Sequence, residues 1–163
     1  MKKIVFVCSG NICRSPAAEA IMADLIKKQG LDHKYQLDSC GTHGLHSGEK
    51  ADPRMRRIAD KHGYTLTSIA RKFEVQQDFD TASHIVAMDN THVEQLRQWA
   101  KNQTQSEKII AMADYCTQHQ ATDIPDPYYG DDSDFEQVIN LLEDACAGLL
   151  NALENAPQKN TEK

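Results

Sequence analysis

The residues from Ile4 to Pro16, IVFVCSGNICRSP, constrain this chain more than any other stretch. A four-residue apolar run, Ile4 to Val7, stops at Cys8. A short loop sequence follows, Ser9, Gly10, Asn11, Ile12 and Cys13, and Arg14 and Ser15 lead from it into Pro16. An apolar run ended by Gly and Asn reads as a buried strand entering a tight loop. Ser15 followed by Pro16 reads as an N-cap and a first helical residue. A helix N-terminus offers unpaired backbone N–H groups and the positive end of a dipole. Loop amides curling toward the same point form a nest for an anion. Arg14 adds a planar fork of donors that matches a phosphate. Cys8 stands where an oxyanion would sit, and such electropositive surroundings favour the nucleophilic thiolate. The stretch therefore describes a nucleophile at the floor of a phosphate cradle. Neither Gly-x4-Gly-Lys-Ser/Thr nor Gly-x-Gly-x-x-Gly occurs, which excludes the nucleotide-binding loops built on those patterns.

The rest of the chain alternates strand and helix patterns. A helix is expected over 16–28, with Ala18, Ile21, Met22 and Leu25 on one face and Gly30 at its end. Tyr35 to Ser39 is the second strand candidate, and the Gly- and His-rich residues 40–52 read as a solvated loop. Pro53 opens a second helix with Met55, Ile58, Ala59 and His62 on one face, stopped by Gly63. Residues 64–83 look irregular apart from a short helix near 75–80. His84 to Met88 and Lys108 to Met112 are the third and fourth strands. Thr91 with Glu94, and Ser133 with Glu136, have the spacing of capping boxes at the heads of two further helices. The second of these carries the longest apolar stripe, from Phe135 to Leu153. Such alternation predicts an α/β fold with helices on both faces of a parallel sheet. Four strands suggest the flavodoxin-like order 2-1-3-4, whose ligand site lies beyond the C-terminal strand ends. The expected organisation is one domain over 1–156 and a polar, frayed tail over 157–163.

Bulk properties remove several function classes. With 18 Lys plus Arg against 24 Asp plus Glu, the formal net charge is −6, which disfavours nucleic acid as a partner. No apolar run approaches membrane-spanning length, so no membrane insertion is expected. Ile4 to Val7 is too short for a signal peptide core. Five cysteines without regular spacing suit a reducing compartment, so a cytoplasmic location is expected.

With CSGNICRSP placed between a first strand and a first helix, the chain resembles the low-molecular-weight protein tyrosine phosphatases over most of its length. The resemblance implies that Cys8 attacks phosphorus while Arg14 and the amides of Ser9, Gly10, Asn11, Ile12 and Cys13 hold the phosphoryl oxygens. It implies that Ser15 gives a hydrogen bond to the sulfur and that Asn11 keeps the loop in shape. Departure of an aryl oxygen also needs a general acid. Among the carboxylates of the acidic loop, the resemblance assigns that role to Asp126, in Asp126-Pro127-Tyr128-Tyr129. Tyr128, Tyr129 and Leu45 would wall the cleft. Cys13 would form a reversible disulfide with Cys8 under peroxide. The implied substrate is a phosphotyrosine-containing protein or peptide, the product inorganic phosphate, and no metal or other cofactor takes part.

Three positions depart from the family pattern. Ser68 stands where many members have a His that supports the loop Asn, so a contact to Asn11 only through water is expected. Leu45 stands where many bacterial members have Trp. Ser9 follows the nucleophile where bulkier apolar residues are common. Together they suggest a more open or more polar entrance. Three other functions fit parts of the pattern. Arsenate reduction needs two further relay cysteines, and Cys116 and Cys146 lie far apart in sequence. Phosphoarginine hydrolysis belongs to a branch that tends to carry Thr at the position of Ile12. A non-catalytic phosphate-binding module has no use for both Cys8 and Asp126.

Overall fold

The computed structural model describes residues 1–157, so nearly all of the expected frayed tail lies outside the described residues. Four strands, β1 (Lys2–Cys8), β2 (Tyr35–Gly41), β3 (His84–Ala87) and β4 (Ile109–Ala111), form one sheet in the order β2-β1-β3-β4. All three pairings are parallel, as the alternating pattern predicts. In the central strand β1, Ile4 to Val7 are fully buried.

Because successive side chains of a strand point to opposite faces, β1 splits its residues between two cores. Ile4, Phe6 and Cys8 face the layer of α1 (Arg14–Lys28), α2 (Pro53–Lys61) and α6 (Asp132–Glu154), where Ile21, Met22, Phe135 and Leu142 are buried. Val5 and Val7 face α3 (Val75–Thr81) and α4 (Asn90–Trp99) through Phe79, Val93 and Leu96. Trp99 stacks on Phe73 at the rim of this second core. The single-turn α5 (Gln103–Ser106), capped by Asn102, was not expected from the sequence.

The helix heads differ from expectation in a consistent way. α1 begins at Arg14, with Cys13 as its N-cap residue, and Ser15 is not a cap. Pro16 still fits, because no N–H of the first turn needs an intrahelical partner. At α4 the cap is Asp89, whose carboxylate accepts from His92 N–H while the His92 ring accepts from Asp89 N–H. At α6 the reciprocal pair is Asp131 with Asp134. In both cases an Asp two residues upstream takes the place of the expected Thr91 or Ser133. His62 is not on the apolar face of α2; it caps that helix and pairs with Glu136 and Glu143 of α6.

The loop after β4 is tied to α6 by one carboxylate. Asp144 accepts from the backbone N–H groups of Thr117, Gln118 and His119, and its Oδ2 lies 2.9 Å from His119 Nδ1. Cys116 is half-buried there against the Leu141 carbonyl, so Cys116 and His119 serve this anchor. Burial pushes Asp144 up, but its four donors outweigh it and hold the carboxyl well below the usual range. A carboxyl depressed in the folded state contributes stability above its unfolded value, and that contribution fades as the pH falls. Asp144→Asn should lower stability at neutral pH and reduce the loss between about pH 4 and more acid solution. Urea denaturation across that range measures the difference, and parallel curves for the two proteins would refute it.

Candidate active site

The parallel register brings the C-terminal ends of β1 and β2 level, with Cys8 opposite Gly41. Any side chain at residue 41 would collide with the backbone of the loop after β1, since its Cβ would lie 2.4 Å from Ser9 O. Residues 9–13 turn between β1 and α1, and the turn requires Asn11 at φ 59°, in the left-handed region that Asn tolerates.

The Asn11 side chain explains how that conformation is held. Its amide donates to Ser15 Oγ at 2.8 Å and to Ser39 Oγ at 3.0 Å, while its carbonyl oxygen accepts from Arg71 N–H at 3.1 Å. Ser39 in turn donates to Glu19 Oε2 at 2.9 Å. Support for the loop therefore comes from Ser39 of β2 and the backbone at Arg71 rather than from Ser68. Burial, only partly offset by the Ser39 hydroxyl, pushes the Glu19 carboxyl up. Ser15 Oγ lies 2.9 Å from Cys8 Sγ.

Arg14 is almost wholly buried, its side chain 3% exposed. Nη1 donates to Asp89 Oδ2 at 2.7 Å and to the Ile124 carbonyl at 3.0 Å. Nη2 donates to Ser9 Oγ at 3.4 Å and lies 3.8 Å from Asp126 Oδ2. Burial pushes Asp89 up, yet the hydrogen bonds from Arg14 and from the His92 backbone N–H leave it below the usual carboxylate range.

Above this floor opens a cleft of about 200 Å³. Of the residues expected from the sequence, Cys8, Ser9, Gly10, Ile12, Cys13, Arg14, Leu45, Asp126, Tyr128 and Tyr129 line it. Asn11 and Ser15 do not; their side chains lie behind the loop and shape it. Tyr128 meets Tyr129 edge to face, and Leu45 and Tyr129 stand at the mouth, 83% and 93% exposed. Burial, reinforced by Asp52, raises the Cys13 thiol far above its ordinary range.

A family model described as low molecular weight phosphotyrosine protein phosphatase matches residues 3–159. The chain belongs to this family. A low molecular weight protein-tyrosine-phosphatase of Streptomyces coelicolor is 40% identical over 153 residues, covering 93% of each chain. The human low molecular weight phosphotyrosine protein phosphatase is 36% identical over 91% of this chain and 94% of its own. Among solved structures, a protein tyrosine phosphatase from Entamoeba histolytica with Hepes in the active site superposes with a TM-score of 0.92 at 44% identity. That match covers 94% of this chain and 97% of the other. The present chain is accordingly a low-molecular-weight protein tyrosine phosphatase.

The phosphatase also places in and around the cleft residues that the sequence did not single out. His43 and His46, expected in a solvated loop, line it and lean over Gly10, where an added Cβ would lie 2.9 Å from the His46 ring. His46 also faces the Tyr128 ring, 6.4 Å between centroids. Arg54, expected on a solvated helix face, lies over Tyr128 and Phe135 and clamps Asp52 with two side-chain hydrogen bonds. His92, hidden within the α4 pattern, bonds Ser9 across the site. The paired histidines of residues 43–46 were a legible signal; nothing in the sequence marks His92. Asn11→Ala would leave Ser15 and Ser39 without their donor and an ordinary residue at positive φ. It should cost about 1–3 kcal/mol in denaturant unfolding and weaken phosphate inhibition. A neutral effect on both would contradict the support given to Asn11.

Proposed function

We propose that this phosphatase hydrolyses phosphotyrosine in proteins through a phosphocysteine intermediate. Cys8, as its thiolate, attacks phosphorus in line, the bond to the phenolic oxygen breaks, and Asp126 protonates that oxygen. Asp126, now ionised, takes a proton from a water that attacks the phosphocysteine and releases inorganic phosphate and Cys8. Arg14 and the amides of residues 9–14 hold the phosphoryl oxygens and stabilise the charge they gain. Ser15 donates to the sulfur when it leaves phosphorus. No metal or other cofactor enters the scheme.

The observation that supports this reading best is the convergence of Cys8, Arg14 and Asp126 on one cleft. Arg14, with Nη1 engaged by Asp89, keeps Nη2 on the side of Asp126. The flat faces of Tyr128 and Tyr129 suit an aryl group rising from the floor. Arsenate relay fits poorly, because Cys146 is buried against Ala18 O and Cys116 against Leu141 O, neither of them in the cleft. Ile12 gives the cleft an apolar surface where a phosphoarginine site would gain from a hydroxyl. The reading includes a cytoplasmic location and one catalytic domain over 1–156. It also includes peroxide oxidation of Cys8 to the sulfenic acid, which Cys13 attacks with loss of water to give a disulfide.

Cys8→Ser should abolish turnover while inorganic phosphate still binds, as calorimetry can measure. Asp126→Ala should lower kcat roughly 10²–10⁴-fold for phosphotyrosine peptides, and less for aryl phosphates with acidic leaving groups. An equal loss for p-nitrophenyl phosphate and an alkyl phosphate would remove Asp126 from the acid role.

A further inference from the structure

His92 takes no part in the chemistry above, yet it is buried to 2% exposure beside the phosphate cradle. Its two ring nitrogens face different partners. Nδ1 lies 3.2 Å from the backbone nitrogen of Asp89, whose N–H points at it; Asp89 Oδ1 is equally near, at 3.2 Å, but accepts instead from the His92 backbone N–H. A nitrogen that accepts an N–H carries no proton of its own. Burial lowers His92 to about 4, against the opposing pull of Asp89, so the neutral ring holds one proton at neutral pH. That proton must sit on Nε2, and Nε2 lies 2.8 Å from Ser9 Oγ. His92 therefore donates to Ser9.

Arg14 Nη2 donates to the same Ser9 oxygen. With two donors aimed at it, the oxygen has both lone pairs engaged. What remains is its single hydrogen, and Ser9 lines the cleft beside Cys8 and Arg14. A serine without this partner could rotate, give its hydrogen to a neighbouring carboxylate such as Asp126, and present a lone pair to an incoming phosphate dianion. The His92 donor closes that alternative, because Nε2–H and an outward Ser9 lone pair cannot both be satisfied.

We propose that Ser9 is a polarised hydrogen-bond donor to a phosphoryl oxygen of the substrate, and that His92 is the positioning residue that fixes its direction. The proposal rests on the phosphatase reading above and adds a neutral donor to the cradle made by Arg14 and the loop amides. It also gives a reason for a polar residue directly after the nucleophile. Ser9 and His92 act as one unit, and the chemical class recognised is a tetrahedral oxyanion.

The experiment is a double-mutant cycle with Ser9→Ala, His92→Phe and the double variant, together with His92→Gln. The readouts are steady-state kinetics on a phosphotyrosine peptide and inhibition by orthovanadate, with thermal melts as a check on folding. A hydrogen bond to a charged group predicts roughly ten- to hundredfold lower kcat/KM and vanadate affinity for Ser9→Ala. His92→Phe should show a loss of the same order, and the double variant no more than the larger single loss. His92→Gln, whose amide nitrogen can replace Nε2–H, should recover most of it. Unchanged vanadate affinity in Ser9→Ala overturns the proposal. Losses that multiply in the double variant overturn the coupling to His92. A wild-type protein without phosphotyrosine turnover would instead overturn the catalytic reading, while vanadate binding would still test the donor.

Discussion

The buried ion pair between Arg14 and Asp89 is the contact on which the site depends. A guanidinium taken out of water costs several kcal/mol unless its donors are matched, and Arg14 is matched on one side only by Asp89 and the Ile124 carbonyl. Its other side is left to Ser9 and to the cleft. Asp89 is simultaneously the N-cap of α4. Ile124 stands two residues before Asp126, and the carboxylate of Asp123 accepts from Asn90 N–H. One side chain thus joins the loop that carries the candidate nucleophile, the helix that follows β3, and the segment that carries the candidate acid.

The sheet makes that junction possible. In a parallel arrangement the loops that leave the strands emerge at one edge, and the order β2-β1-β3-β4 puts β1 between two neighbours. β2 supplies Ser39 to Asn11 and Gly41 to the close approach of Ser9 O. The end of β3 leads through Met88 to Asp89. The loop after β1 is held from both sides, and its one left-handed residue is fixed by three hydrogen bonds rather than by the turn alone.

Sheet order and the cradle were legible because each is written in contiguous residues. The run from Ile4 to Pro16 contains its own strand, loop and helix start, and the apolar periods of α1 and α6 are long. The helix caps were less legible, because Asp, Ser and Thr all serve as caps and the acidic loops offer several in a row. Tertiary bonds decided among them: Asp89 was selected by Arg14, and Ser15 was claimed by Asn11 rather than by a cap. Ser68 looked like a weak support for Asn11 only because Ser39, far away in sequence, carries no local mark of that role. His92 and Arg54 escaped for the same reason. Each sits in an ordinary helical pattern, and its partner lies on another element.

In-line attack by Cys8 requires one geometry around phosphorus, and a crystal structure with orthovanadate measures it most directly. The expected result is a vanadium centre with Cys8 Sγ in one apical position and the carboxyl of Asp126 beside the opposite apical oxygen. Arg14 and the loop amides should hold the equatorial oxygens. Vanadate bound away from Cys8, or bound there with Asp126 turned out of reach of the apical oxygen, would contradict it.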